Sequence, residues 1–329
     1  LREPVVVGGT EVAASASIGI TLSGMGRRTP QEILRDADTA MYKAKANGKA
    51  NHAVFDASMH TQVSEQLQIE RDLHRAIEQD QLSVVFQPMF RLDNRETFGV
   101  EALLRWRHPE RGPVAPQTFV PVAEESGLIV PLTELVLNKA CAELKRLQGA
   151  DPALASMRLN VNVSARNLRQ PGFAGVVAQA LLRYGLDPSQ LSLELTEGML
   201  MENLDAALDT MNALRRLGVG LCVDDFGTGY SSLSYLSTLP INGLKIDASF
   251  VRQLAHSPES AAIVRAIVDL GASLGKMVIA EGIEEPAQTQ RLRELGCDLG
   301  QGFLLCAALP PDDLAVMLRA MRTPQAVAG

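Results

Sequence analysis

Short unbroken apolar runs alternate along this chain with longer segments in which apolar residues recur at roughly helical spacing. VVF within LSVVFQPMF (82–90), LCV (221–223) and MVIA (277–280) are too short for helices and read as buried strands. Helical patterns fall around 131–148, 172–184, 203–217, 257–274, 286–294 and 311–321, with Pro152, Pro171, Pro188, Pro240, Pro286 and Pro310 at their edges. The alternation predicts an α/β fold with parallel strands that can close into a barrel. A barrel of this type takes about 250 residues, and the stretch from 81 to 322 supplies them.

Residues 1–55 have a different character. VVVGGTEVAASASIGI reads as a hairpin turning at Gly8-Gly9. TPQEILRDADTAMYKAKANGK then reads as a helix, with Thr29 as its cap, Pro30 in the first position and Gly48 at its end. Residues 56–80 form a helical linker in which Leu67, Leu73 and Ile77 lie near helical spacing among charges. Residues 323–329 are a tail. The chain opens inside strand-like sequence (Pro4 to Val7), as expected of a piece of a longer protein.

Polar residues collect where the apolar runs give way to turns: Glu101, Asn162, Glu194, Glu197, Asp224, Asp225, Lys245, Glu281 and Gln301. In a parallel barrel these positions share one rim, the end at which barrel chemistry gathers. Two adjacent aspartates at a strand end repel each other unless a cation or proton intervenes. On its own, Asp224-Asp225 reads as a turn with a helix cap; among so many acids it reads as part of an oxygen-ligand metal site. Glu194 and Glu197 face opposite sides of one strand, unless the strand ends between them. Lys245, between Leu244 and Ile246, needs a buried partner that an acidic rim provides, and Asp247 faces the same side. Glu284-Glu285-Pro286 reads as a helix start, a reading that leaves Glu281 to the rim. Gln87 and Arg105 are candidates for substrate contact, a planar guanidinium being suited to phosphate.

Composition narrows the chemistry. The 329 residues are 46% hydrophobic and 4% aromatic, enough for one large core and an appendage. A formal charge of −7 argues against a nucleic-acid polymer as partner, although bound cations would let an acidic site accept a small phosphodiester. Cys141, Cys222, Cys297 and Cys306 lack paired spacing and read as reduced thiols of a cytoplasmic domain. The scattered histidines exclude a His-Glu-x-x-His metallohydrolase. Gly48-Lys49 and Gly275-Lys276 lack the hydroxyl residue of a phosphate-binding loop, and Gly227-Thr228-Gly229 lacks the third glycine of a dinucleotide fingerprint. No apolar stretch is long enough to span a bilayer. A membrane anchor of the longer protein would lie upstream.

From about Glu65 to Arg322 the chain resembles the EAL-domain cyclic di-GMP phosphodiesterases. The resemblance rests on FQP (86–88), EALLRW (101–106), VNVS (161–164), ELTE (194–197), DDFGTGYSSLSYL (224–236), KID (245–247), AEGIE (280–284) and QGF (301–303), all in the family's order. It implies a modified TIM-type (β/α)8 barrel whose first strand runs antiparallel. It also implies two Mg²⁺ or Mn²⁺ ions per site and hydrolysis of cyclic di-GMP to linear 5′-pGpG. By that resemblance Glu101, Asn162, Glu194 and Asp224 hold the first ion, and Asp224 bridges to a second held by Asp225, with Glu281 nearby. Lys245 orients the attacking water and helps to deprotonate it, Gln87, Arg105, Asp247 and Gln301 meet substrate, and Glu197 anchors the 227–236 loop. A homodimer through the barrel domain is implied too.

Ahead of this, SIGI (17–20) and ADTAMYKAKANGK (37–49) resemble the carboxyl-terminal part of a GGDEF diguanylate cyclase domain. Gly8-Gly9-Thr10-Glu11 falls too close to SIGI to be that family's signature turn, so no cyclase activity is expected, and the upstream sensor and GGDEF region would belong to the full-length protein. Departures are Gly198 after ELTE, Ala248 after KID and Cys306-Ala307-Ala308 near the end; none removes a ligand position. The competing expectation is a non-catalytic cyclic di-GMP receptor or interaction module.

Overall fold

The computed structural model describes residues 5–7, 10–12, 15–22, 29–46, 50–202, 204–229 and 236–322. The chain divides into two compact units, residues 1–78 with 117–126, and residues 79–116 with 127–329.

In the first unit, β1 (Val5–Val7) and β2 (Thr10–Val12) pair antiparallel as a hairpin; its Gly8-Gly9 turn lies outside the described residues. The hairpin does not extend to the third strand. Instead β3 (Ile18–Ile20) pairs parallel with β4 (His52–Val54), the two joined through α1 (Pro30–Ala46). Thr29 and Glu32 cap α1 reciprocally: the Glu32 amide donates to the Thr29 hydroxyl (3.2 Å) and the Thr29 amide to the Glu32 carboxylate (3.0 Å). Gly48, the expected helix end, lies outside the described residues. Gly19 lets α1 cross β3 closely, since a Cβ there would sit 1.8 Å from the Ala37 carbonyl oxygen. The linker is α2 (Ser58–Glu78), but its inward face is Ile69, Leu73 and Ala76, and Leu67 is 40% exposed. Asp36 of α1 is fully buried, 2.6 Å from the His60 ring of α2.

The second unit is a closed barrel. Around it run β5 (Leu82–Arg91), β6 (Thr97–His108), β8 (Arg158–Asn162), β9 (Leu191–Thr196), β10 (Gly220–Phe226), β11 (Gly243–Ile246), β12 (Met277–Ala280) and β13 (Leu299–Gly300), with β7 (Gly112–Val114) paired to β6 outside the ring. β5 is antiparallel to both its neighbours, β6 and β13, and the other pairings round the ring are parallel. The expected helices are present as Ile129–Ala150, Phe173–Tyr184, Leu204–Leu217, Pro258–Leu274, Pro286–Glu294 and Pro311–Arg322. Glu284 and Glu285 stand at the start of Pro286–Glu294, where both backbone amides donate to Gln288 Oε1.

Helix Pro116–Ser126 was not legible in the pattern, because Pro121 lies inside it and usually ends a helix. Pro116 occupies its first position, and burial of Phe119, Val122 and Ala123 offsets the lost hydrogen bond. Its residues 117–126 group with the first unit.

Strand alternation sorts the barrel residues. Val100, Ala102, Leu159, Val161, Leu193, Leu195, Leu221, Val223, Leu244 and Ile246 join the helices in the main apolar core. Met89, Ile279 and Leu299 form a separate small cluster on the inward face. Along the same inward face, toward the strands' carboxyl ends, the side chains become polar. All four cysteines are free, as expected.

Candidate active site at the carboxyl rim

Lys245 organises the rim. Its side chain is fully buried, and Nζ lies 2.5 Å from Glu281, 3.0 Å from Glu194, 3.1 Å from Glu101 and 3.7 Å from Asp224. The inward positions of β6, β9, β10 and β11, with the residue after β12, therefore converge on one ammonium. Gln301, just past β13, bridges two of the acids from the far side. Its Nε2 donates to Glu101 Oε2 (2.7 Å) and Glu281 Oε1 (2.9 Å). Asn162 at the end of β8 donates to the other oxygen of Glu101 (2.7 Å).

Adjacent strand residues point to opposite faces, so Asp224 and Asp225 should not share a pocket. They do because the strand breaks its own rule. The β10–β11 register shifts between Val223 and Phe226, and Asp225 adopts a positive φ of 53°, rare for a residue with a side chain. One carboxylate oxygen each from Asp224, Asp225 and Glu281 then lies within 4.8 Å of the others. Backbone strain concentrated at this point is a mark of a functional site.

The charges do not balance, and the protonation equilibria record it. Burial pulls Lys245 toward the neutral form, but Glu101, Glu194, Glu281 and Asp224 more than offset this and hold it charged. Burial also works against Glu101, yet Lys245 and the hydrogen bonds from Gln301 and Asn162 bring its carboxyl below the usual range. The other acids go the opposite way. Burial, then repulsion from Glu101, raises Glu194 well above its ordinary value; burial raises Asp224; and burial pushes Glu281 up to about 8 despite Lys245. Burial and Asp224 push Asp225 up to about 6. One ammonium is too little positive charge for these carboxylates.

Divalent cations fit the residues present. The donors are carboxylate and amide oxygens, the set that hard Mg²⁺ or Mn²⁺ prefers. Glu194 Oε2 and Gln301 Oε1 are buried without a hydrogen-bond partner, a costly condition that a cation would relieve.

Glu197 is not part of this cluster. β9 ends at Thr196 and a helix begins at Glu197, so the two glutamates of ELTE separate as the alternation requires. Glu197 is 2% exposed, and its Oε2 accepts from the backbone amides of Gly227 (2.8 Å) and Gly229 (3.3 Å). A Cβ on residue 229 would meet Glu197 Oε1 at 2.6 Å, so the close approach needs glycine there. Residues 230–235 of the loop lie outside the described residues.

The substrate-contact candidates are more dispersed. Gln87 pairs in register with Glu101 across β5 and β6 and donates to the Cys306 carbonyl (3.2 Å). Arg105 lies two pleats beyond Glu101 on β6. Its guanidinium donates to the Leu104 carbonyl (2.9 Å), and burial lowers it while Glu101 partly opposes this. Asp247 caps helix Ala248–Gln253 through the Ser249 amide (2.9 Å), and its proximity helps to raise the Asp225 carboxyl. Asn160, which sequence reading missed, is buried on β8 and donates to Glu194 Oε1 (2.7 Å). The signal was present in RLNVNVS, where alternation sends Asn160 to the same face as Asn162.

Comparison with known proteins finds two families in the chain. The family model for the EAL domain matches residues 70–308, and that for the diguanylate cyclase GGDEF domain matches residues 1–51. The bifunctional diguanylate cyclase/cyclic di-GMP phosphodiesterase MucR of Pseudomonas aeruginosa is 44% identical over 314 residues, covering 95% of this chain and 46% of its own length. The cyclic di-GMP phosphodiesterase PdeR of Escherichia coli is 39% identical over 310 residues, 94% of this chain and 46% of PdeR. The chain thus spans somewhat under half of either relative. A solved structure described as the PaMucR phosphodiesterase in complex with c-di-GMP superimposes with a TM-score of 0.72 at 45% identity, covering 75% of this chain and 99% of that one.

Proposed function

The chain belongs to the EAL-domain family, with part of a GGDEF domain ahead of the barrel, and from that premise we propose that it hydrolyses cyclic di-GMP to linear 5′-pGpG. Two Mg²⁺ or Mn²⁺ ions would supply a water nucleophile at neutral pH and shield the phosphoryl charge. Glu101, Asn162, Glu194 and Asp224 would hold the first ion, Asp224 and Asp225 the second, with Glu281 beside them. In the reaction, water oxygen bonds to phosphorus, the bond from phosphorus to the 3′ oxygen breaks, and that oxygen takes up a proton. The products are a 5′-phosphate and a 3′-hydroxyl.

The observation that carries this reading is the convergence of Glu101, Glu194, Asp224 and Glu281 on Lys245, with a buried carboxylate oxygen of Glu194 left unpartnered. In the cation-free protein Lys245 is charged, so it acts there as a donor that orients acids and water. A role in taking the water's proton would require cations first to lift the negative field that keeps it protonated. Gln301 holds Glu101 and Glu281 at fixed separation. Gln87, Arg105, Asp247 and Gln301 line the approach for guanine and phosphate. The domain division proposed is the GGDEF part to residue 55, a helical linker at 56–80 and the barrel at 81–322, with a homodimer formed through the barrel.

The test is purified protein incubated with cyclic di-GMP and Mg²⁺ or Mn²⁺, with nucleotides separated by chromatography. Metal-dependent appearance of pGpG is expected. Retention of intact cyclic di-GMP on the protein without turnover would favour the receptor reading instead.

A further inference from the structure

Glu194 stands out among the rim acids because its two oxygens live differently. Its side chain is fully buried. Oε1 accepts a hydrogen bond from Asn160 (2.7 Å) and pairs ionically with Lys245 (3.0 Å), while Oε2 is buried with no hydrogen-bond partner. Asn160 comes from the neighbouring strand β8, one pleat below Asn162, which stands opposite Glu194 in the β8–β9 register. At 3% exposure, an amide at position 160 is expensive unless it is satisfied.

Resting on the metal-dependent reading above, we infer that Asn160 is a positioning residue: it pins Glu194 through Oε1 and so presents Oε2 as the ligand atom. Lys245 cannot do this alone, because its ammonium is shared among four carboxylates between 2.5 and 3.7 Å away. Any cation that neutralises those acids weakens its hold on each. Asn160 is neutral and does not titrate, so its N–H stays on Oε1 whatever the charge state of the rim. With both rotational choices of the carboxylate removed in advance, the cation does not have to order the ligand as it binds.

The experiment measures Mn²⁺ binding to the whole chain by titration calorimetry, without nucleotide, for wild type, Asn160→Leu and Asn160→Asp. Asn160→Leu removes the donor while keeping the branching and the number of side-chain heavy atoms. Asn160→Asp keeps the shape and replaces the donor with an acceptor, so it remains informative if the leucine variant fails to fold. Melting temperature is read first for each. The expected result is a Mn²⁺ affinity lowered by about 10–100-fold in cooperatively melting variants, with kcat returning to within a few-fold of wild type at saturating Mn²⁺. Wild-type affinity in a folded variant would overturn the inference and leave the proposed function standing, as would a loss of kcat that saturating Mn²⁺ does not restore. A wild-type protein that binds no Mn²⁺ would overturn both.

Discussion

Glu197 Oε2 accepts the amide hydrogen of Gly227 at 2.8 Å, tying the first residue of the helix after β9 to the turn that follows Asp224 and Asp225. The carboxylate holds the backbone of the loop, and a second amide, that of Gly229, shares the same oxygen. Gly227 has a φ of 103°, so the turn is held in a conformation that most residues avoid. Glu197→Ala should therefore lower metal affinity and turnover by about 10–100-fold, with partial recovery at high Mg²⁺. Glu194→Ala should show no such recovery. Parallel metal and substrate titrations of the two variants decide it, and native kinetics for Glu197→Ala at low Mg²⁺ would return this residue to a purely structural role.

Glu101→Ala and Asp224→Ala should each reduce hydrolysis by about a thousandfold or more, on the scale of losing a group that acts on the developing charge. Both side chains lie on the rim and outside the apolar core, so the fold should survive. Circular dichroism checks the fold and product chromatography the rate. Near-native turnover in either variant would contradict the ligand assignment.

The cation-free barrel should lose stability as pH rises. Glu281 at about 8, Asp225 at about 6 and the raised Glu194 and Asp224 bind protons more tightly folded than unfolded. Each contributes fully below its unfolded value and withdraws that contribution as pH climbs through its folded value. Glu101, shifted the other way, acts only below the ordinary carboxylate range. In EDTA the melting temperature should fall between pH 5 and pH 8. Mn²⁺ should raise it most at the alkaline end, where it meets no competing protons. A melting temperature that rises across this window in EDTA would contradict the picture of a proton-rich rim.

Mg²⁺ and Mn²⁺ should support turnover and Ca²⁺ should suppress it, because calcium takes more ligands at longer distances than a compact pair of sites allows. Initial rates in each metal, and in EDTA, supply the measurement. Equal rates in EDTA and Mg²⁺ would remove the metal mechanism.

In the first unit, Asp36→Asn should destabilise the packing of α1 on α2 by about 1–3 kcal/mol, the scale for a buried charged hydrogen bond. Asp36 is fully buried, 2.6 Å from His60, whereas Arg35, 3.9 Å away, is mostly exposed. Limited proteolysis of the amino-terminal segment should accelerate in the variant while barrel turnover is unchanged.

The barrel was legible because its strands are short apolar runs and prolines mark the edges of its helices, as Pro286 does at the start of Pro286–Glu294. The rim was legible because acids follow those runs. Three things were hidden. Alternation places Asp224 and Asp225 apart, and only a left-handed residue and a register shift, which leave no trace in composition, bring them together. Pro121 disguised a helix whose apolar face outweighs the missing bond. Leu67 is exposed and Ile69 buried: spacing alone gives two neighbouring faces of α2, and which one is covered depends on what packs there. Asn160 was also hidden, for a simpler reason, since an asparagine two positions before another reads as a polar edge until that face of the strand is known to point inward.

A pocket built to hold cations among carboxylates is, before they arrive, a knot of like charge that opposes closure of the ring. Lys245 solves the assembly problem from within: its ammonium is a covalently tethered counter-ion, delivered by β11 as the strands meet. Loading the proposed site would then be an exchange, in which arriving cations take over carboxylates that already have a partner. On the proposed metal-dependent reading, affinity for metal would be weaker than the ligand set alone would give, and the barrel would fold without metal. Lys245→Met would invert that arrangement, giving a chain that grips metal tightly and cannot close its barrel without it.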